Sequence, residues 1–259
     1  MSTKEKGKVY LVGAGPGRAD LITVRGAEVL KAADCVIYDK LANPALLKSA
    51  RPDAEIIHTP KRTGEGSFTQ EEINKLLVEK ASLGQMVVRL KGGDPCIFGR
   101  AGQEITALTE AGIDFEIVPG VTATTAAAVY AGIILTDRDY NSQLLFVTGH
   151  EAEGKQESNI DWHLLAKLKA TIVFYMAMGS LDFIAEQLIK NGMSKETPTA
   201  VIADATLPTQ RTITAPIQQI NEKCKQEKFE PPVIIVIGTA ADTKLNWLTS
   251  KPLFGKNIV

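Results

Sequence analysis

The sequence predicts an α/β protein made of two unlike α/β domains, the first on a mainly parallel sheet and the second on a mixed one. Three observations carry this. Strand and helix patterns alternate through the first half, two strands of the second half lie too close for a helix to intervene, and glycine turns close several strands.

In the first half, β-rich runs lie at 8–12 (KVYLV), 34–38 (DCVIY), 55–58 (EIIH), 86–90 (MVVRL) and 114–118 (DFEIV). Helical patterns fill most of the gaps. Residues 20–32 place Leu21, Val24, Ala27 and Leu30 on one stripe, with Val29 beside it. Residues 69–83 open on TQEE, a capping-box start, and carry Ile73, Leu76 and Leu77 at helical spacing. A third helix, 101–111, is closed by Gly112 as its C-cap. Such alternation calls for a parallel sheet with helices on both faces.

The second half has another rhythm. An alanine- and threonine-rich helix at 122–131 precedes strands at 143–148, 171–176, 199–203, 211–215 and 233–237. Helices are expected at 180–191 and 216–227, the second with Pro216 in its first turn. The strands 199–203 and 211–215 are expected to pair antiparallel. Pro119 and Gly120 break the pattern between the halves, so the expected domains are 1–119 and 120–244, with an arm or linker at 245–259.

Composition narrows the function. Apolar residues make up 44% of 259, enough for two real cores. A formal net charge of −1 excludes nucleic-acid binding through bulk charge, so no nucleic-acid partner is expected. The three cysteines are far apart and form no C-x-x-C, as in a reduced cytoplasmic protein. The opening MSTKEKGK is polar and runs into a strand, unlike a signal peptide, and no apolar run approaches the ~20 residues of a membrane span. A cytoplasmic protein without a membrane partner is the expectation. His58, His150 and His163 are scattered, and no metal site is expected.

The motif LVGAGPGRADLIT, 11–23, approaches a dinucleotide-binding fingerprint and then departs from it. Gly13, Gly15 and Gly17 alternate, and Arg18 stands where the third fingerprint glycine belongs. Further glycine turns, KGGDP (91–95), PGVTA (119–123) and TGHE (148–151), also follow strands. Carboxyl ends of strands are where open α/β sheets bind ligands, and glycine lets a ligand lie against bare backbone. Asp39 closes VIYD and offers a carboxylate for proton transfer at the mouth of a cleft.

The runs VYLVGAGPGRADLIT, VIYDKL, RLKGGDPCIFGRAGQE (89–104), VPGVTA, YAGIILTDRDY (130–140), LLFVTGHE, VFYM (173–176) and DATLPTQR (204–211) follow one another from Val9 to Arg211. In sequence and order they resemble the tetrapyrrole methylase family. That resemblance implies S-adenosylmethionine as methyl donor, held in the cleft between two unlike α/β domains, with S-adenosylhomocysteine as product and no metal. The ligand would carry no pyrophosphate, which accounts for the missing third glycine.

Carried over by position, the family's donor contacts fall on Pro16, Gly92, Gly93, Asp94, Ile97, Thr122, Ala123, Met176 and Ala205. Asp39 is implied as proton acceptor and Lys61 as proton donor. The implied reaction places methyl groups on carbons 2 and 7 of uroporphyrinogen III, giving precorrin-2 through precorrin-1, for siroheme or cobalamin. A homodimer is implied as well. The substrate is a polycarboxylate, so Arg62, Arg89, Lys91, Arg100, Arg138 and Arg211 are expected to converge on it.

Departures from the family are Arg18 and Ala19, Pro60, Ile134, Asp137 and Ala177; Asp137 stands where histidine is frequent and bears on substrate preference. The alternatives are a sister methyltransferase acting on another precorrin, diphthamide or ribosomal RNA, an NAD-dependent oxidoreductase, and a non-catalytic binding module. The terminal PLFGK is similar to segments that lead into a uroporphyrinogen-III synthase domain, though an ordinary terminal arm is the alternative.

Overall fold

The alternation of the first half folds into one all-parallel sheet. Its strands are β1 (Lys8–Gly13), β2 (Cys35–Tyr38), β3 (Glu55–His58), β4 (Val87–Lys91) and β5 (Asp114–Val118), in the order β3-β2-β4-β1-β5. The computed structural model describes residues 5–60, 67–139, 141–149, 159–243 and 245–248. The chain divides into two units, Met1–Ala123 and Thr124–Val259.

In the first unit the strand period of two sorts the core. Val12, Val36, Val88 and Leu90 pack on Val29 and Leu30 of α1 (Val24–Ala32). Val9, Leu11, Cys35, Ile37 and Val87 pack on Ile73 and Leu77 of α2 (Gln70–Ser82) and Leu108 of α3 (Ala101–Glu110). The expected capping box opens α2: the Thr69 hydroxyl accepts from Glu72 N at 3.2 Å, and the Glu72 carboxylate accepts from Thr69 N at 2.7 Å. Gly112, at φ +61°, follows α3.

The first helix begins later than the expected residue 20. Ala19–Leu21 form a 3-10 turn, Ile22 and Thr23 are extended, and the Thr23 hydroxyl caps α1 by accepting from Gly26 N at 3.1 Å. The glycine turn therefore does not run into a helix N-terminus, so the seat that a dinucleotide fold gives its pyrophosphate is missing at this turn.

The second unit holds β6 (Leu144–Thr148), β7 (Thr171–Tyr175), β8 (Pro198–Ala203), β9 (Arg211–Pro216) and β10 (Val233–Ile237), in the order β6-β7-β10-β8-β9. β6 and β7 are parallel, β10 is antiparallel to both β7 and β8, and β8 pairs antiparallel with β9 as expected. The sheet is mixed. Its core joins Ile172, Phe174, Val201, Ile235 and Ile237 to Leu181, Ile184 and Leu188 of α6 (Leu181–Lys190) and Ile217 and Ile220 of α7 (Ile217–Gln226).

Two features differ from the sequence expectation. A short α5 (Trp162–Lys167) follows Asp161, whose carboxylate accepts from Leu164 N at 2.9 Å; six residues are too few to show a period. Pro216 ends β9 and is the N-cap of α7, outside its first turn. The alanine-rich helix is α4 (Ala123–Ala131), and the described start of the C-terminal arm packs on its end. There Leu245 N donates to Gly132 O at 2.9 Å and the Trp247 indole N–H donates to Val129 O at 2.7 Å. Residues 249–259 lie outside the described residues. Among those described, no helix is long and apolar enough to cross a membrane.

Candidate active site

At the carboxyl end of the parallel sheet, the loops after β1, β4 and β5 lock together through backbone. Gly15 N donates to Gly93 O at 3.2 Å, Gly93 N donates to Gly15 O at 2.9 Å, and Ala14 N donates to Lys91 O at 2.7 Å. A Cβ on Gly120 would lie 2.3 Å from Gly93 O and 2.7 Å from Gly13 Cα, so only glycine permits this approach. Asp94 adds a clamp: one carboxylate oxygen accepts from Cys96 N at 2.8 Å and the other from Gly120 N at 3.0 Å. Gly93 is at φ +69°, and a Cβ there would make only an ordinary contact, 3.6 Å from Ala123 N. Pro16 is buried in the same loop cluster, while Ile97 and Phe98 stand 36% and 40% exposed.

Beside these loops the β4 face turns from apolar to charged. The register sets Ile37 opposite Arg89, so Asp39 and Lys91, two residues on, continue the same face. The Arg89 guanidinium reaches Asp39 Oδ2 at 3.4 Å through Nη2, Glu104 Oε1 at 3.2 Å through Nε, and Ile37 O at 3.3 Å through Nη1. Lys91 Nζ lies 3.0 and 2.8 Å from the two Glu104 oxygens, and Gln70 donates to Glu104 Oε1 at 3.4 Å. The side chains of Arg89 and Glu104 are fully buried and that of Lys91 nearly so. Burial holds the Lys91 pKa below the usual lysine range, with Glu104 pulling it back up. Glu104 sits in the first turn of α3, where the helix dipole favours its charge. Asp39 Oδ1 is buried and has no hydrogen-bond partner among the described residues. Such an oxygen costs about 1–3 kcal/mol.

The mixed sheet presents its site positions differently. β7 and β8 both run against β10, so their carboxyl ends share one end of the sheet. Met176 follows β7 at φ +52° and is 54% exposed; Asp204 and Thr206, at φ +48° and +72°, flank Ala205 after β8. Gln210 braces this turn, accepting from Thr206 N at 2.7 Å and donating to Tyr130 O at 3.0 Å. Tyr175 accepts from Thr124 N at 3.2 Å at the start of α4, directly after Thr122 and Ala123. Among the described residues six non-glycine residues are left-handed, and all but Lys228 border candidate positions: Phe98, Arg100, Met176, Asp204 and Thr206. Backbone strain of this kind gathers where ligands are clamped.

The expected convergence of cations is corrected. Arg89 and Lys91 are buried and engaged by Glu104, which leaves no face for a substrate carboxylate. In the second unit, the turn bearing Arg138 is anchored at the amino end of β7, where Asn141 donates to the Thr171 hydroxyl at 3.0 Å. Arg211 pairs with Ala203 at the opposite end, its guanidinium 4.5 Å over Phe229 and 3.6 Å from Glu227. Arg138 lines an open depression of about 410 Å³ with Thr136, Asp137, Asn141 and Ser142. Arg100 is exposed at the start of α3. Lys61 and Arg62 lie outside the described residues. Glu104, which closes the run 89–104, is the site residue that sequence reasoning misses; its signal is an acid that can meet two cations spaced i, i+2 on a strand.

Residues 8–221 match the family model described as tetrapyrrole (corrin/porphyrin) methylases. The chain belongs to the tetrapyrrole methylases. Among similar methylases, a uroporphyrinogen-III C-methyltransferase of Methanocaldococcus jannaschii is 49% identical over 90% of this chain and 96% of its own length. A cobalt precorrin-4 methyltransferase structure superposes with a TM-score of 0.81 at 31% identity, over 91% of this chain and 96% of that one. The uroporphyrin-III C-methyltransferase of Thermus thermophilus, solved with S-adenosylhomocysteine, gives 0.77 at 33% identity over 91% and 94%. The chain spans about half the length of other curated relatives it matches, 53% and 52% for two of them.

Proposed function

We propose that this methylase domain transfers methyl groups from S-adenosylmethionine to carbons 2 and 7 of uroporphyrinogen III, yielding precorrin-2 by way of precorrin-1. The observation that carries the chemistry is Asp39, held by Arg89 through one carboxylate oxygen while the other is buried without a partner among the described residues. Likeness to a uroporphyrinogen-III C-methyltransferase of nearly the same length supports the choice of substrate.

Bound S-adenosylmethionine supplies an electrophilic methyl on a cationic sulfonium. The residues present fit such a ligand: Gly92 and Gly93 leave bare backbone, and Ile97 and Met176 offer exposed apolar, polarizable surface. Pro16, Gly92, Thr122, Ala123 and Ala205 complete the donor contacts, while Asp94 shapes the loops by holding Gly120 and Cys96. A ring carbon of the reduced macrocycle forms the new C–C bond as the S–CH3 bond breaks. The Asp39 carboxylate takes the proton the macrocycle gives up, and Lys61 is the proton donor. Arg62, Arg100 and Arg211 are the cations left to meet substrate carboxylates, with Arg138 at the far end of its sheet. The enzyme acts as a cytoplasmic homodimer, and its product feeds siroheme or cobalamin formation.

Likeness to the cobalt precorrin-4 methyltransferase keeps a second reading, in which the acceptor is another precorrin. One assay separates them. The purified chain is incubated anaerobically with methyl-labelled S-adenosylmethionine and either uroporphyrinogen III or precorrin-4, and methyl groups are counted by mass. Two per uroporphyrinogen III and none on precorrin-4 is expected; none on uroporphyrinogen III overturns the proposal.

A further inference from the structure

We infer that Arg89, held by Glu104, is a positioning residue that fixes the Asp39 carboxylate through Oδ2 and so sets its orientation toward the substrate; this rests on Asp39 being the proton acceptor. The geometry is over-determined. All three guanidinium nitrogens are engaged: Nε with Glu104, Nη1 with the Ile37 and Leu90 carbonyls, and Nη2 with Asp39. A planar fork held at three corners has no rotation left, so the direction from Nη2 to Asp39 is set by β4, β2 and α3 together.

Glu104 is what keeps that fork in a dry interior. It receives Lys91 on both oxygens and Arg89 on one, so two cations and two carboxylates balance within the cluster. An arrangement serving stability alone would saturate every oxygen. Here Glu104 is fully engaged, while Asp39, the member at the strand end, keeps a buried oxygen without a partner among the described residues. A lysine at position 89 would keep the charge and lose the fork, because an ammonium is a point donor on a flexible stem.

A double-mutant cycle tests this in the purified chain, with kcat, KM for both substrates, S-adenosylhomocysteine affinity and thermal stability measured on each variant. Arg89→Lys is expected to lower kcat by roughly tenfold to a hundredfold, the scale of a misplaced catalytic group, with KM and S-adenosylhomocysteine affinity within about twofold. In an Asp39→Asn background the same substitution is expected to cost no further turnover. An equal loss of kcat in both backgrounds, or no loss in either, overturns the inference. Full turnover by Asp39→Asn alone overturns instead the reading on which it rests. Should Arg89→Lys fail to fold, the charge-balanced pair Arg89→Met/Glu104→Gln carries the same test, with the same expected and contrary results.

Discussion

In the parallel-sheet unit the loops after β1, β4 and β5 meet backbone to backbone at Gly13, Gly93 and Gly120, whereas in the mixed-sheet unit the turns after β7 and β8 force Met176, Asp204 and Thr206 into left-handed conformations. The first solution removes side chains at Gly13, Gly93 and Gly120 to bring chains together, and its left-handed non-glycine residues, Phe98 and Arg100, stand further along the loop after β4. The second keeps side chains where glycine would relieve roughly 1–2 kcal/mol at each position. A side chain retained at that cost is one whose atoms are used. The glycine loops thus read as stretches that lay backbone bare, and the left-handed turns as stretches that hold out side chains.

Disturbing the parallel-sheet unit is expected to have the largest effect. Glu104→Ala leaves Arg89 and Lys91 buried without their shared carboxylate and is expected to cost about 3–5 kcal/mol in a urea unfolding series. A loss below about 1 kcal/mol would mean that water enters the cluster. Gly120→Ala drives a methyl group against Gly93 O and Gly13 Cα, which are backbone and cannot swing aside. Its expected cost is on the order of 1–3 kcal/mol, with weaker S-adenosylhomocysteine binding by calorimetry. Met176→Gly should behave in the opposite way, losing S-adenosylhomocysteine affinity while stability holds or rises by up to about 1 kcal/mol. If it lowers stability and leaves affinity untouched, the contrast between the two sheet ends is wrong.

Elements were legible in the sequence wherever a period or a cap declared them. The parallel strands, the Thr69–Glu72 capping box and the close β8–β9 pair follow from alternation, cap chemistry and spacing. The late start of α1 was hidden because Leu21 fits the helical stripe, while the Thr23 cap that ends the extended stretch is one residue among several polar candidates. The glycine turns and the strand end at Asp39 were legible as positions, while the surroundings of two cations were not. Arg89 and Lys91 look the same in sequence whether they clamp a substrate or pair with Glu104, since their partner lies 15 and 13 residues away on another element. The left-handed turns were invisible because Met176 and Thr206 are residue types that rarely adopt that conformation.

The central claim is that Asp39 moves a proton and does not hold the methyl donor. Asp39→Asn preserves the size of the side chain, so turnover with uroporphyrinogen III and calorimetric affinity for S-adenosylhomocysteine, measured on one preparation, separate the two roles. Turnover lower by roughly a hundredfold or more with affinity within a few-fold is the expected result. Equal loss of both would contradict the account and make Asp39 a ligand-holding or structural carboxylate.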